Sequence, residues 1–156
     1  MLNGAAGAGG TSAVQYPGLE SRGINRLRTM PLFHVWFATK RRKWLLQGDI
    51  LEATRAEISA AAEQHGIRLI EREAVVDHVH LLLELDDAAH LPKAMNLIKG
   101  ASARRIFQRF PDIRLDAHIS SFWQAKYAFK EVPRGGEQAV REYIRTQWDR
   151  LEKYAR

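Results

Sequence analysis

One short segment constrains the fold of this chain more than any other part of the sequence. It reads Asp-His-Val-His-Leu-Leu-Leu-Glu-Leu over residues 77–85. In a β-strand, successive side chains point to opposite faces of the sheet, so one face carries His78 and His80 side by side. The other face carries an unbroken apolar row, Val79, Leu81, Leu83 and Leu85. We therefore expect a strand anchored in a core, with two imidazoles placed to bind one divalent metal ion. Two surface histidines at the start of a strand are the alternative interpretation.

The composition of the whole chain bounds the class of protein. A length of 156 residues suits one compact domain. No apolar run approaches the roughly 20 residues needed to span a bilayer, and no secretory signal is present. We therefore expect a cytoplasmic protein that does not associate with a membrane. Cysteine is absent, which excludes disulfides and thiolate metal ligands. The formal charge of +6 favours a polyanionic partner such as nucleic acid and thus a nucleoid-associated protein.

Residues 1–29 differ in composition from the rest of the chain. Gly and Ala dominate the first part, and no hydrophobic period appears. Such a segment cannot bury enough apolar surface to offset the entropy of ordering it. We predict a disordered Gly/Ala-rich tail over residues 1–29 and a single domain over residues 30–156. Met30 directly precedes the first strand-like segment and is an alternative start of translation.

The remaining sequence predicts alternating strands and helices. Strands are predicted over residues 32–38, 67–76, 78–85 and 122–132, and helices over about 49–65, 91–110 and 137–154. Asp49 is the expected N-cap of the first helix, with Glu52 in a capping-box position, and Gly66 is placed to end that helix. The order β-α-β-β-α-β plus a C-terminal helix matches an α+β, ferredoxin-like (RRM-like) fold, with an antiparallel sheet and two helices on one face. This fold hosts many activities, so function has to be argued from the site.

Two side chains of the predicted last helix form a second candidate site. Tyr143 and Gln147 are four residues apart and therefore lie one turn apart on one helix face. Taken alone, a tyrosine at such a position is more often a half-buried packing residue, and a glutamine is usually a surface helix former.

Taken together, four segments resemble the HUH single-strand tyrosine transposases. These are the one-tyrosine enzymes of insertion sequences, together with their REP-associated relatives. The segments are residues 77–82, which resemble the family's histidine strand, residues 97–102, which resemble its LKGxSS segment, residues 121–123 with Tyr127, and residues 142–147, which resemble EYIxxQ. The similarity covers about residues 31–150. Val76 departs from the proline that is common there, Ala101 from a more polar residue, and residues 126–130 are more basic than usual.

The resemblance implies a metal-dependent DNA transposase. His78, His80 and Gln147 would hold one Mg²⁺ or Mn²⁺ ion, which would polarise the scissile phosphate of single-stranded DNA. Tyr143 would attack that phosphate and form a 5′-phosphotyrosine link with a free 3′-hydroxyl. We expect Asp77 to act as a turn residue or to support the metal ligands rather than bind the ion itself.

The resemblance also implies partners. DNA hairpins near the ends of the mobile element would be recognised, and a homodimer would form by joining of the two sheets. The tyrosine helix can complete the partner's site in this family, with residues 135–136 as its hinge. No other protein partner is inferred. The expected DNA contacts come from the basic loop and from the second helix: Arg41, Arg42, Lys99, Arg104 and Arg105.

Three alternatives remain open at the level of the sequence. A noncatalytic nucleic-acid-binding module on the same fold would place Trp36, Phe122 and Trp123 on an exposed sheet face, although all three fit a core equally well. A metal-dependent nuclease that uses water would keep His78 and His80 as ligands but would not need Tyr143. An inactive or host-retained relative would keep the residues without the mobility.

Overall fold

The computed structural model describes residues 30–155, with side chains described through residue 151. The tail predicted over residues 1–29 lies outside the described residues. The elements in chain order are β1 (Leu32–Ala38), α1 (Gly48–Gln64), β2 (Arg68–Val75), β3 (His78–Glu84), α2 (Leu91–Arg109), α3 (Ile113–Asp116), β4 (Ala128–Glu131), α4 (Glu137–Arg145) and α5 (Gln147–Ala155). One-turn 3-10 helices at Lys40–Arg42 and Ala88–His90 precede α1 and α2. Within this range no helix is long and apolar enough to cross a bilayer.

The four strands form one antiparallel sheet in the order β2-β3-β1-β4. The histidine strand β3 is central and pairs with β1 on one side and β2 on the other, while β2 and β4 are the edges. In the β1–β3 register, Trp36 lies opposite His80. This order and these directions confirm the ferredoxin-like fold.

The two faces of the sheet have separate hydrophobic cores. On one face, α1 and α2 cover the predicted apolar row of β3: Val79, Leu81 and Leu83 are fully buried, and Leu85 packs against them. On the opposite face, α4 buries Leu82 through a smaller cluster. The C-terminal helices therefore form a third layer, and this layer lies on the face that carries the histidines.

The start of α1 differs from the predicted capping box. The helix begins at Gly48, its N-cap is Gln47, and no side chain caps it, so Asp49 lies inside the first turn. The first helical hydrogen bond already closes before Asp49, because the Leu51 N–H donates to the Gln47 carbonyl at 3.3 Å, and the Glu52 carboxylate pairs with Arg55 at 2.9 Å. The predicted end is confirmed, because Gly66 follows the helix with φ of +67°, a conformation that favours glycine.

The fourth strand is shorter than predicted. Only Ala128–Glu131 pairs as a strand, and Trp123 forms a single bridge with Thr39. The preceding aromatic pair cannot belong to a two-faced strand, since the neighbouring residues Phe122 and Trp123 are both buried in the same core, at 0% and 5% exposure. The prediction of a continuous strand over residues 122–132 was wrong for this reason.

The predicted last helix is broken in two. It is interrupted at Thr146, which has φ of −97° and ψ of +18°. Two side chains form hydrogen bonds with backbone carbonyls at the end of α4. The Thr146 hydroxyl donates to the Glu142 carbonyl at 2.9 Å, and the Gln147 amide donates to the Tyr143 carbonyl at 2.7 Å. Such side-chain bonds compete with the helical pattern and explain the break.

Candidate active site

The histidine face of β3 holds the first part of the site. His78 and His80 project to the same side, and their ring centroids are 4.9 Å apart. His80 is buried beneath the C-terminal layer with 5% of its surface exposed, while His78 is partly exposed. The strand alternation thus places the two imidazoles together, as predicted, with one edge of the pair open to solvent.

A third histidine, which was not predicted, lies behind this pair. His34 on β1 is fully buried, and its Nε2 lies 2.9 Å from Nδ1 of His80. Burial, with a further contribution from Lys130, lowers the pKa of His34 to about 3. Burial also lowers the pKa of His80 well below its usual value, helped by His34 and His78. Both rings are therefore neutral near pH 7, and one donates to the other.

Asp77 forms a hydrogen bond with Nδ1 of His78, as His34 does with Nδ1 of His80. Its Oδ1 lies 2.9 Å from Nδ1 of His78, and its carboxylate also pairs with the Arg42 guanidinium at 3.3 Å. The expected supporting position of Asp77 beside the histidines agrees with this geometry. Because both histidines have Nδ1 engaged, Nε2 is the nitrogen that each ring offers to a metal ion, an arrangement common around metal-binding histidines.

The tyrosine and the glutamine lie against this cluster. The Tyr143 ring centroid is 5.9 Å from that of His80 and 5.7 Å from that of His34. Gln147 is 8% exposed, and its amide nitrogen donates to the Tyr143 carbonyl. The amide oxygen is therefore the atom that Gln147 could offer to a metal ion. No three His, Cys, Asp or Glu side chains cluster as a metal site in the described part of the chain.

Arg150 is a second residue that sequence reasoning missed. Its guanidinium carbon lies 4.6 Å from the Tyr143 ring centroid, over the ring face. The signal was a spacing of seven residues, two helical turns, which survives the break at Thr146. A guanidinium therefore lies over the face of the Tyr143 ring.

The predicted DNA contacts fall into two separate groups. Arg41 and Arg42 are exposed at the end of β1, and Arg42 reaches the histidine end of the sheet through Asp77. The other group, Lys99, Arg104 and Arg105, lies on α2, which covers the opposite face of the sheet. The structure does not bring the two groups together.

Lys99 is engaged by the protein itself. Its ammonium donates to the carbonyls of Gln124, Ala125 and Lys126 at 2.7, 3.3 and 3.1 Å. Burial lowers the pKa of Lys99 to about 8, so the group still carries its charge at pH 7. One helical turn further on, the Ser102 hydroxyl accepts from the Trp123 indole at 3.1 Å. Two of the segments that carried the resemblance are thus joined, and they fix the loop before β4.

The two arginines among the predicted α2 contacts differ in pairing. Arg105 lies 3.6 Å from the Glu57 carboxylate and also contacts Gln64. Arg104 is exposed and forms no ion pair with any side chain of residues 30–151. Arg104 is therefore the α2 arginine whose charge is most available to a ligand.

The aromatic residues that a noncatalytic module would expose are mostly internal. Phe122 and Trp123 belong to the main core. Only Trp36 lies on the histidine face, where its ring stacks beside His80 at a centroid distance of 6.4 Å. An exposed row of aromatic side chains on the sheet is not formed by these three residues.

Comparison with known proteins identifies the family. The sequence model described as "Transposase IS200 like" matches residues 30–147. The ISDra2 transposase TnpA of Deinococcus radiodurans is 29% identical over 118 residues, which cover 76% of this chain and 84% of that protein. The transposase for insertion sequence element IS200 of Salmonella typhimurium is 26% identical, over 74% of this chain and 75% of that protein.

Solved structures agree with this result. A crystal structure of a Deinococcus radiodurans R1 protein assigned as a transposase is 28% identical, with a TM-score of 0.62, and covers 80% of this chain and 97% of that one. A REP-associated tyrosine transposase bound to a REP hairpin has a TM-score of 0.53 at 14% identity, covers 76% of this chain and 68% of that one, and shows the same fold. The relatives are DNA-cleaving and DNA-joining enzymes, which argues against a noncatalytic module. The chain belongs to the IS200-like transposase family.

Proposed function

We propose that this transposase cleaves and rejoins single-stranded DNA through a 5′-phosphotyrosine intermediate on Tyr143. The observation that carries the proposal is the placement of the Tyr143 ring 5.9 Å from the ring of His80, on the sheet face where the imidazoles of His78 and His80 meet. A nucleophile and a pair of potential metal ligands then lie in one cluster.

The reaction uses the phenolic oxygen as nucleophile. That oxygen attacks the scissile phosphorus, the bond from phosphorus to the 3′ oxygen breaks, and the phenolic proton is exchanged for a proton on the leaving 3′-hydroxyl. The phosphotyrosine bond conserves the energy of the broken phosphodiester, so attack by another 3′-hydroxyl reverses the step without ATP. Arg150 places its guanidinium over the face of the ring whose hydroxyl loses the proton, 4.6 Å from the ring centroid.

The residues present suit a divalent cation. His78 and His80 each have Nδ1 engaged and offer Nε2, and Gln147 offers an amide oxygen, so these three residues would hold Mg²⁺ or Mn²⁺. When bound, such an ion supplies Lewis-acid polarisation of the phosphate. His34 and Asp77 orient the two rings through their Nδ1 atoms.

The partners follow from the same proposal. Single-stranded DNA with hairpin ends is the substrate, and the enzyme acts in the cytoplasm at the nucleoid. A homodimer would form through sheet joining, for which the edge strands β2 and β4 are the available strands. Residues 135–136, the hinge implied by the resemblance, form the turn before α4, where Gly135 has φ of +80°.

The test is covalent capture of DNA. A hairpin-bearing single strand, labelled on the side that becomes linked to the protein, is incubated with the enzyme and Mn²⁺ and resolved under denaturing conditions. We expect a protein–DNA adduct that is lost in Tyr143→Phe and retained in the matched control Tyr127→Phe, because Tyr127 packs near Phe129 in the other layer. Circular dichroism confirms that each variant is folded.

Each other outcome assigns a different function. Cleavage that survives Tyr143→Phe would sink the proposal in favour of a nuclease that uses water. DNA binding without cleavage, unchanged by His78→Ala, would indicate a binding module or an inactive relative.

A further inference from the structure

An exposed tryptophan lies in the basic loop, which we define as residues 40–46. Trp44 has 73% of its surface exposed, although most large apolar side chains of the described chain are internal. It directly follows four consecutive basic residues, 40–43. A large aromatic ring beside concentrated positive charge fits a ligand that has both flat apolar groups and negative charge.

The backbone of the basic loop is held in place on both sides of Trp44. The Thr39 hydroxyl donates to the Lys43 carbonyl at 2.7 Å, and the Gln47 amide donates to the Trp44 carbonyl at 3.1 Å. Leu46 is fully buried, and its N–H donates to the Val76 carbonyl at 2.8 Å. The indole is thus presented to solvent by a fixed backbone, which lowers the entropy cost of binding to it.

The basic loop adjoins the proposed active site. The Thr39 N–H donates to the Asp77 carbonyl at 2.9 Å, and Arg42 pairs with the Asp77 carboxylate at 3.3 Å. Asp77 in turn holds His78. A DNA strand that leaves the phosphate site past His78 therefore meets the loop on which Trp44 is displayed.

We propose that Trp44 stacks on an unpaired base of the single-stranded DNA, while the basic side chains of residues 40–43 contact its phosphates. This inference rests on the proposed function, since it assigns the surface that binds the substrate of that site. Stacking on an indole suits single strands because every base exposes a π face once it is unpaired, and bases in a duplex do not. The phosphate contacts supply affinity that does not depend on sequence.

The test compares three variants in EDTA, so that binding is measured without cleavage. Trp44→Leu keeps the apolar bulk but removes the aromatic face, Trp44→Phe keeps a smaller face, and Leu115→Ala is the control at another exposed apolar side chain, 77% exposed. The probe is a fluorescently labelled single-stranded oligonucleotide, alone and annealed to its complement. We expect Trp44→Leu to weaken single-strand binding by roughly 5- to 150-fold and Trp44→Phe by less, with duplex binding and the Leu115→Ala variant unchanged.

Several outcomes would overturn the inference. They are equal single-strand affinity in Trp44→Leu and wild type, an equal loss on duplex DNA, or a change in oligomeric state by size-exclusion chromatography that marks Trp44 as a contact between copies of this chain. Because EDTA prevents cleavage, the binding measurement does not depend on the outcome of the adduct assay. If the adduct forms but Trp44→Leu does not weaken binding, only the stacking proposal is refuted. If Trp44→Leu weakens binding but no adduct forms, only the proposed chemistry is refuted.

Discussion

The side chain of His34 on β1 contacts the proposed metal ligand His80 through one hydrogen bond. For His80 to offer its Nε2 lone pair, its proton must lie on Nδ1, which then donates to Nε2 of His34. His34 must therefore accept there and carry its own proton on Nδ1. A fully buried histidine in this position would select the tautomer of the proposed ligand rather than bind the metal itself.

This role predicts a loss of metal affinity when His34 is replaced. We expect His34→Leu to weaken Mn²⁺ binding by about 10- to 100-fold, measured by isothermal titration calorimetry, since Nδ1 of His80 loses its acceptor. His34→Gln, whose amide oxygen can accept, should recover part of the affinity. Nitrogen-15 NMR should show His80 protonated at Nδ1 in the wild type.

The contrary results are specific. Unchanged Mn²⁺ affinity in a folded His34→Leu protein, or His80 protonated at Nε2 in the metal-bound enzyme, would refute the assigned role of His34. A wild type that binds no divalent ion would instead contradict the proposed metal site.

Local and non-local residues differ in how far the sequence predicts them. His78 and His80 were predictable because two residues of one strand share a face by alternation alone. His34 belongs to another strand, and its contact with His80 depends on β1 pairing with β3, which periodicity does not specify. Val76 is a similar case: periodicity does not predict its φ of +49°, a conformation that proline cannot adopt.

At the scale of elements, the tyrosine helix is anchored to the sheet of its own chain. Glu71 on β2 accepts from Arg141 at 3.1 Å and from Arg145 at 3.3 Å. Beyond the break, the Trp148 indole donates to the Ala74 carbonyl of the same strand at 2.9 Å. Both α4 and α5 are therefore fastened along β2, and Tyr143 faces the histidines of its own chain.

This anchoring predicts that each chain builds a complete site. When His80→Ala and Tyr143→Phe proteins are mixed, we expect no covalent adduct, because one chain lacks the ligand and the other lacks the nucleophile. When either variant is mixed with wild type, the amount of adduct should be proportional to the fraction of wild-type chains. Recovery of the adduct in the mixture of the two variants would show that the tyrosine helix crosses to a partner, as the resemblance to the family allows.

The predictability of the elements depended on how local their determinants were. The second helix was predicted to within one residue, since Pro92 marks its first turn and apolar periodicity runs its full length. The fourth strand was overextended because apolar aromatic residues read alike in a strand and in a core-filling loop. The break at Thr146 arises from side chains that bond to carbonyls of the preceding turn, and the helical pattern of the sequence runs through it without a signal.

For the whole molecule, the sheet divides the positive charge between two surfaces. The basic loop lies at the histidine end, while α2 presents its arginines on the layer that covers the other face. One substrate could occupy both surfaces only if it were large, and a single strand attached to a folded hairpin satisfies this condition. If the proposed substrate is correct, the α2 surface would contact the hairpin and the histidine end would contact the single strand.

This division predicts different salt dependences for two neighbouring arginines. Arg104 is exposed without an ion pair in residues 30–151, so Arg104→Ala should reduce the slope of log affinity against log salt by about one for hairpin DNA. Arg105→Ala should change that slope less, because Arg105 already pairs with Glu57. For a linear strand without a hairpin, neither substitution should matter, since such DNA does not reach α2. Equal slopes for Arg104→Ala and wild type on hairpin DNA, measured by fluorescence anisotropy from low to moderate salt, would place the hairpin elsewhere on the molecule.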